Sequence, residues 1–169
     1  MNVIEYALQM ELDGRDFYRR SAQAAPNSEL RKILLNLADE EDRHYQFFKK
    51  LKEGDDTSAA SALMAKSHIS SANRTIFKEL AEQGKQASFT GELRQVWTEA
   101  LKIEEQVEQM YRKEAGKESD PARKKLYNLI ADEEKSHVYL IDNILSFLAD
   151  PQGFTESSRF KSFLSWEGR

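Results

Sequence analysis

The chain contains no cysteine, and its 169 residues include only 3 prolines and 7 glycines. Without cysteine the chain cannot form a disulfide, a Cys-ligated zinc site or a rubredoxin-type iron centre. Because proline and glycine are the residues that most often interrupt a helix, their scarcity favours long helices.

Long hydrophobic runs and basic charge are also missing. No apolar run reaches the roughly 18 residues that a membrane-spanning helix needs. The N-terminal segment contains Glu5 and no basic stretch, so it does not resemble a signal peptide. The net charge of -4 provides no basic surface for nucleic acid. We therefore expect a cytoplasmic protein that binds neither membranes nor nucleic acid.

Apolar residues recur at helical spacing in four long segments. Short connections join the first segment to the second and the third to the fourth, so each pair is expected to form an antiparallel hairpin. The two predicted hairpins span residues 2–53 and 91–149. We expect Asn27 or Ser28 to cap the second helix and Gly116 to end the third.

The segment between the hairpins, residues 54–90, is predicted to be a crossover. It should begin with a capped loop over residues 54–61 and contain a short helix over about residues 74–83, because long structureless loops are rare in compact domains. The tail, residues 150–169, should form one short docked helix. The predicted fold is all-α: a ferritin-like antiparallel four-helix bundle over residues 1–149, with one long crossover and a short C-terminal helix.

The two hairpins repeat each other. Residues 3–52 align without a gap with residues 96–145, an offset of 93, and 13 of the 50 positions are identical. Two acidic residues and one histidine return at this offset: Glu11 as Glu104, Glu41 as Glu134, and His44 as His137.

These six residues are candidate ligands of a two-metal site. The four glutamates lie on helix stripes that are otherwise apolar, and burying four unpaired carboxylates would be very costly. Two divalent cations would balance their charge if both histidines were neutral. Since residues three apart share a helix face, each Glu-x-x-His pair could reach one metal, with the other two glutamates capping or bridging. Carboxylate and imidazole ligation with open positions suits iron or manganese.

Other residues near the six candidate ligands leave alternatives open. Tyr18 and Tyr111 are either core aromatics or catalytic residues whose hydroxyls bond a ligand carboxylate or a bound oxygen species. Glu40 and Glu133 either accept a hydrogen bond from a ligand imidazole or form a solvated flank. His68 has no counterpart in the repeat, and we expect it to be structural or exposed.

Two segments, MELDGRDFY at residues 10–18 and ADEEDRH at residues 38–44, are similar to the diiron domain of rubrerythrins in the ferritin-like superfamily. The resemblance covers about residues 1–149. It implies a non-haem diiron centre, often one that reduces hydrogen peroxide, with the six residues as iron ligands. Rubrerythrins usually carry a rubredoxin-type domain, which this cysteine-free chain lacks. They also usually have an extra glutamate three residues after the third-helix ligand, where this chain has Val107.

The leading functional hypothesis is a diiron oxidoreductase that acts on hydrogen peroxide or dioxygen and serves in oxidative stress. Its cofactor would be two iron ions, with manganese as the other possibility, and its electrons would come from a separate donor such as rubredoxin. We expect a homodimer. The alternatives are a ferroxidase or iron-storage protein, a dioxygen-using oxidase, and a structural or partner-binding bundle whose metal only holds the fold.

Overall fold

The computed structural model describes residues 2–64, 69–84 and 89–166, so His68 lies outside the described residues. The described residues form eight helices: α1 (Val3–Gln23), α2 (Ser28–Lys52), α3 (Asp56–Met64), α4 (Ile69–Gln83), α5 (Gly91–Lys117), α6 (Pro121–Ala149), α7 (Pro151–Glu156) and α8 (Ser158–Ser165).

Four long helices form the bundle. Helix α1 packs along α2 and α5 packs along α6, while α1 also meets α5 across the bundle. Helices α3 and α4 connect the two hairpins and pack against α2 and α6. The predicted fold class, an all-α ferritin-like bundle with one long crossover, is confirmed. None of the helices in the described part of the chain is long and apolar enough to cross a membrane.

The core consists of two apolar clusters along the bundle. Tyr18, Leu37 and Ile141 belong to the first cluster, and Phe48 and Ile130 belong to the second. On each long helix, the candidate metal ligands lie in sequence between residues of the first cluster and residues of the second. The candidate ligands therefore lie in the middle of the bundle, enclosed at both ends by apolar packing.

The helix ends agree with the sequence at α2 and differ at α5. Asn27 caps α2, since its Oδ1 accepts a hydrogen bond of 2.8 Å from the Leu30 N–H. Gly54 follows α2 with a φ of 78°. The prediction that Gly116 ends α5 was wrong, because the helix continues to Lys117. A glycine ends a helix by taking the left-handed conformation, and Gly54 alone does so among the described residues.

The crossover is more helical than predicted. The segment expected to be a loop contains α3, which begins at Asp56 because Asp55 caps it: the Ser58 N–H donates to Asp55 Oδ1 at 3.0 Å. Ala59 and Leu63 are buried in the second apolar cluster, and this burial stabilises the helix. Helix α4 also begins earlier than predicted, at Ile69.

The tail forms two short helices where one was expected, because Ser157 ends α7 and caps α8. Phe77 of α4 joins the tail to the bundle. Its ring packs edge-on against Phe163 of α8, with centroids 5.1 Å apart, and against Phe147 of α6, with centroids 5.8 Å apart. Crossover, tail and second hairpin therefore share one aromatic contact.

We predict that Phe77→Ala lowers the free energy of unfolding by about 3–5 kcal/mol, since it removes a fully buried aromatic ring. Urea unfolding followed by circular dichroism measures this. The control is Leu164→Ala in α8, whose side chain is exposed and should cost less than about 1 kcal/mol. If the two variants lost equal stability, the conclusion that the buried Phe77 ring joins the tail to the bundle would be wrong.

Candidate metal centre

Helices α1, α2, α5 and α6 bring all six predicted ligands together in the interior. Each of the six residues is at most 5% exposed. They form two overlapping groups, and within each group one ligand atom per residue lies within 4.8 Å of all the others. The first group is Glu11, Glu41, His44 and Glu134, and the second is Glu41, Glu104, Glu134 and His137.

One carboxylate, that of Glu134, faces both histidines. His44 Nδ1 lies 2.9 Å from Glu134 Oε1, and His137 Nδ1 lies 3.2 Å from Glu134 Oε2. Glu134 thus presents one oxygen to each imidazole. Glu41 Oε1 of the first hairpin is 3.4 Å from His137 Nδ1 of the second hairpin. The two imidazole rings stack at a centroid distance of 5.7 Å and an angle of 21°.

Each Glu-x-x-His pair lies within one group: Glu41 with His44 in the first, and Glu134 with His137 in the second. Glu41 and Glu134 each belong to both groups, so they are placed to bridge two metals. Glu11 and Glu104 each belong to one group and are placed to cap one metal. Each group therefore draws its members from both hairpins.

The unsatisfied polar atoms fit a metal pair. Among the described residues, five buried atoms of the cluster have no hydrogen-bond partner: Glu11 Oε2, Glu41 Oε1, His44 Nδ1, Glu134 Oε1 and Glu134 Oε2. His44 Nδ1 and Glu134 Oε1 are close, yet their orientation does not make a hydrogen bond. Buried polar atoms are rarely left unpaired. A coordinated cation requires oxygen and nitrogen lone pairs that lie close together without hydrogen bonds to each other, and these five atoms meet that requirement.

The charges in the cluster shift the pKa values of its members. Burial, with repulsion from neighbouring carboxylates, raises the pKa of Glu41 well above its usual value and also raises that of Glu134. Burial opposes a charge on His44 and His137, but the carboxylates around them outweigh it and raise both pKa values. Burial also opposes ionisation of Glu104, yet the neighbouring His137 lowers its pKa overall. Without metal, protons therefore balance the carboxylate charge.

Tyr18 and Tyr111 cross the bundle to opposite hairpins. The Tyr18 hydroxyl donates a hydrogen bond to Glu104 Oε1, and the Tyr111 hydroxyl donates one to Glu11 Oε1. Both tyrosines are buried. Burial and the adjacent carboxylate raise both phenol pKa values well above the ordinary value, so both hydroxyls keep their protons. The tyrosines are thus both core aromatics and hydrogen-bond donors to candidate ligands.

The repeat breaks beside the centre at Gly14, whose counterpart is Val107. A Cβ at Gly14 would lie 3.2 Å from Glu41 Oε2, so the glycine leaves room for that carboxylate. Val107 is buried in the second apolar cluster. The neighbouring Glu108 does not replace the missing glutamate, because it binds Arg112 at 3.3 Å and lies in neither group of four.

Sequence reasoning missed Arg43, the residue before His44. Its guanidinium forms ion pairs with Glu40 and Glu133, and Glu133 Oε2 lies 2.9 Å from His44 Nε2. Glu40 is 3% exposed, so it is not part of a solvated flank. The repeat could not identify Arg43, because the matching residue is Ser136. The signal in the sequence that could have indicated Arg43 was its place as a cation in the acidic segment ADEEDRH at residues 38–44.

The comparison with protein families agrees with this geometry. The family model described as rubrerythrin matches residues 2–145. The chain has no match among curated proteins or among solved structures. Rubrerythrins contain a diiron centre in a ferritin-like helical bundle, and the buried Glu and His groups described above could hold two metal ions. With most of its length matched, the chain belongs to the rubrerythrin family.

Proposed function

We propose that this protein is a non-haem diiron oxidoreductase that reduces hydrogen peroxide to water with electrons from a separate donor protein. The observation that carries the proposal is the buried set of four carboxylates and two imidazoles, whose unpaired atoms converge from both hairpins. When bound, two ferrous ions supply the two electrons that, with two protons, convert one peroxide into two waters.

The chain's own residues contribute binding and proton supply. Glu41 and Glu134, which belong to both groups, would hold both metals, while Glu11 and Glu104 each accept a hydrogen bond from a tyrosine hydroxyl. We propose that Tyr18 and Tyr111 act as catalytic residues, because they are the buried O–H donors directed at the cluster and they remain protonated at neutral pH. The apolar clusters at both ends limit the access of water.

Electrons must enter from outside the chain. No cysteine is present to bind a rubredoxin-type iron, so we propose a separate donor such as rubredoxin. We also propose that the protein works as a homodimer in the cytoplasm. An iron-storage role would instead require a multi-subunit cage, and the mass of the purified protein in solution separates these two assemblies.

The test of the function is a stopped-flow comparison of two oxidants. Anaerobic protein loaded with two ferrous ions per chain is mixed with hydrogen peroxide or with dioxygen at equal concentration, and oxidation is followed by optical absorption. We expect peroxide to oxidise the protein within seconds and faster than dioxygen. Catalytic turnover should then require an added reductant such as reduced rubredoxin. A faster reaction with dioxygen would reject the peroxidase and favour a ferroxidase or an oxidase.

The presence of valine at position 107 favours the second candidate function, a site that reacts with dioxygen. It places a buried apolar side chain where rubrerythrins usually have an additional glutamate. Without that carboxylate, a bound metal pair would have one fewer oxygen ligand available. A dioxygen-using diiron site is therefore the alternative, with the same ligands and the same two tyrosines.

We predict that Tyr18→Phe and Tyr111→Phe each slow peroxide oxidation of the ferrous protein by about 100-fold, the lower range of what a positioned proton donor contributes. Both variants should still bind two metals at saturating concentration, since neither tyrosine is a ligand. Tyr127→Phe is the matched control: this ring is also buried and packs near Phe48. Equal rates for all three variants would remove Tyr18 and Tyr111 from the catalytic assignment.

A further inference from the structure

Arg43 connects three helices beside the metal centre. Its Nε donates to Glu40 Oε2 at 3.0 Å within α2, and its Nη1 donates to the backbone oxygen of Leu63 in α3 at 3.1 Å. The guanidinium also pairs with Glu133 of α6. The Arg43 side chain is 19% exposed, so these contacts are partly shielded from water. The attraction between the charges is therefore stronger than in a fully exposed ion pair.

The contact with Glu133 continues to the centre. Glu133 Oε2 accepts from Arg43 Nη2, and the same oxygen lies 2.9 Å from His44 Nε2. His44 directs its other nitrogen, Nδ1, at the ligand cluster. When Nδ1 coordinates a metal, Nε2 must carry the ring proton. Glu133 Oε2 is then placed to accept a hydrogen bond from the Nε2–H group. Arg43 thus orients Glu133, and Glu133 orients the imidazole.

The position in the second hairpin that corresponds to Arg43 holds no cation. The offset of 93 relates Arg43 to Ser136, whose hydroxyl donates to the Asp132 backbone oxygen at 3.1 Å. Serine cannot form the two-carboxylate ion pair that a guanidinium forms. The surroundings of His44 and His137 therefore differ in charge although the six ligand positions repeat.

We propose that Arg43 is a positioning residue that, through Glu133, holds His44 in its metal-binding orientation and makes the two metal sites inequivalent. The inference rests on the proposed diiron function. The guanidinium fixes the carboxylate rotamer, and by sharing the oxygen that faces the imidazole it moderates how strongly that oxygen attracts the ring proton. The metal bound by His44 therefore depends on Arg43, whereas the metal bound by His137 does not.

The experiment compares stepwise cobalt(II) binding by the full chain, Arg43→Gln, Arg43→Lys and a control, using anaerobic calorimetry. The control is Arg112→Gln, because Arg112 also pairs with two carboxylates, Glu108 and Asp132, neither of which belongs to a candidate metal-binding group among the described residues. We expect Arg43→Gln to weaken one binding step by about 10- to 100-fold, the usual effect of losing a partner of a ligand histidine. Arg43→Lys should recover part of the loss.

A spectroscopic readout separates positioning from a general loss of stability. In the cobalt(II) protein, the ring N–H proton of each ligand histidine gives a shifted, solvent-exchangeable NMR signal. We expect Arg43→Gln to broaden or accelerate the exchange of one signal and to leave the other unchanged. Arg112→Gln should leave both signals as in the unsubstituted protein. A merely structural role for Arg43 would alter both signals equally or neither.

The remaining outcomes are decisive. If Arg43→Gln does not fold, Glu133→Gln replaces it and should affect the same single site. Equal weakening of both sites, or no weakening in the folded variant, overturns the role of Arg43 and leaves the diiron function standing. If the unsubstituted protein binds less than one cobalt per chain, the diiron function itself fails, and the inference fails with it.

Discussion

Loading the metal-free protein with two equivalents of ferrous iron or manganese(II) under anaerobic conditions should raise its melting temperature by about 10 °C or more. A ligand present at about 1,000 times its Kd stabilises the folded state by about 4 kcal/mol per site. For a domain of this size, 1 kcal/mol corresponds to about 2–4 °C. The physical reason is that the folded state brings the six candidate ligands together, whereas the unfolded chain does not, so metal binds the folded state preferentially.

The size of this effect should depend on pH. Glu41 and Glu134 have folded-state pKa values above their ordinary 4.5, and His44 and His137 have values above 6.5. The metal-free folded state therefore holds more protons than the unfolded state as pH rises above about 5, and its stability falls with rising pH. The lowered pKa of Glu104 acts only below 4.5, outside this range.

Metal binding must displace these protons, up to two from the imidazoles and two from the carboxyl groups, so metal affinity rises with pH. The gain in melting temperature on adding manganese(II) should consequently be larger at pH 8 than at pH 6. Differential scanning calorimetry at both pH values measures it. A gain that is absent, or that shrinks at pH 8, contradicts the charge balance on which the site assignment depends.

Glu134→Ala should cripple both metal sites at once. Glu134 presents an oxygen to each histidine, so its loss removes a ligand from both groups. Loss of an outer partner alone costs about 10- to 100-fold in metal affinity, so loss of a bridging ligand should cost more than about 100-fold at each site. Glu41→Ala should behave in the same way, because Glu41 also belongs to both groups.

Two controls make this prediction specific. Glu11→Ala should weaken one site much more than the other, because Glu11 belongs to one group only. Glu105→Ala, which removes an exposed carboxylate beside Glu104 on α5, should change neither site. Metal content after dialysis against a weak chelator, with calorimetric titration, distinguishes the variants. Two tightly bound metals in Glu134→Ala would show that the carboxylate does not bridge.

The candidate ligands could be found from the sequence because their spacing carries the information. Glu41 and His44 are three residues apart on one helix face, and the same pair returns as Glu134 and His137 on an equally apolar stripe. The pairing of individual ligand atoms across the two hairpins could not be found in this way. It depends on how the hairpins are rotated against each other, which the pattern along one helix does not specify.

Other differences have local causes. Asp55 signals both a turn and a helix cap, and burial of Ala59 and Leu63 decides in favour of helix α3. The prediction for the end of α5 failed because nothing in the sequence shows which glycine takes the left-handed conformation, and Gly116 does not. The role of Arg43 beside His44 was not predicted, because Arg43 is not conserved between the two repeats and the repeat was the strongest signal in the sequence.

The most direct test of the proposed diiron centre is Mössbauer spectroscopy of the protein reconstituted with iron-57 and then oxidised. We expect two iron atoms per chain whose spins are coupled through bridging ligands, so the oxidised protein should show quadrupole doublets without magnetic splitting in a weak field at low temperature. Magnetically isolated ferric ions, or less than one iron per chain, would contradict a diiron centre held by these six residues.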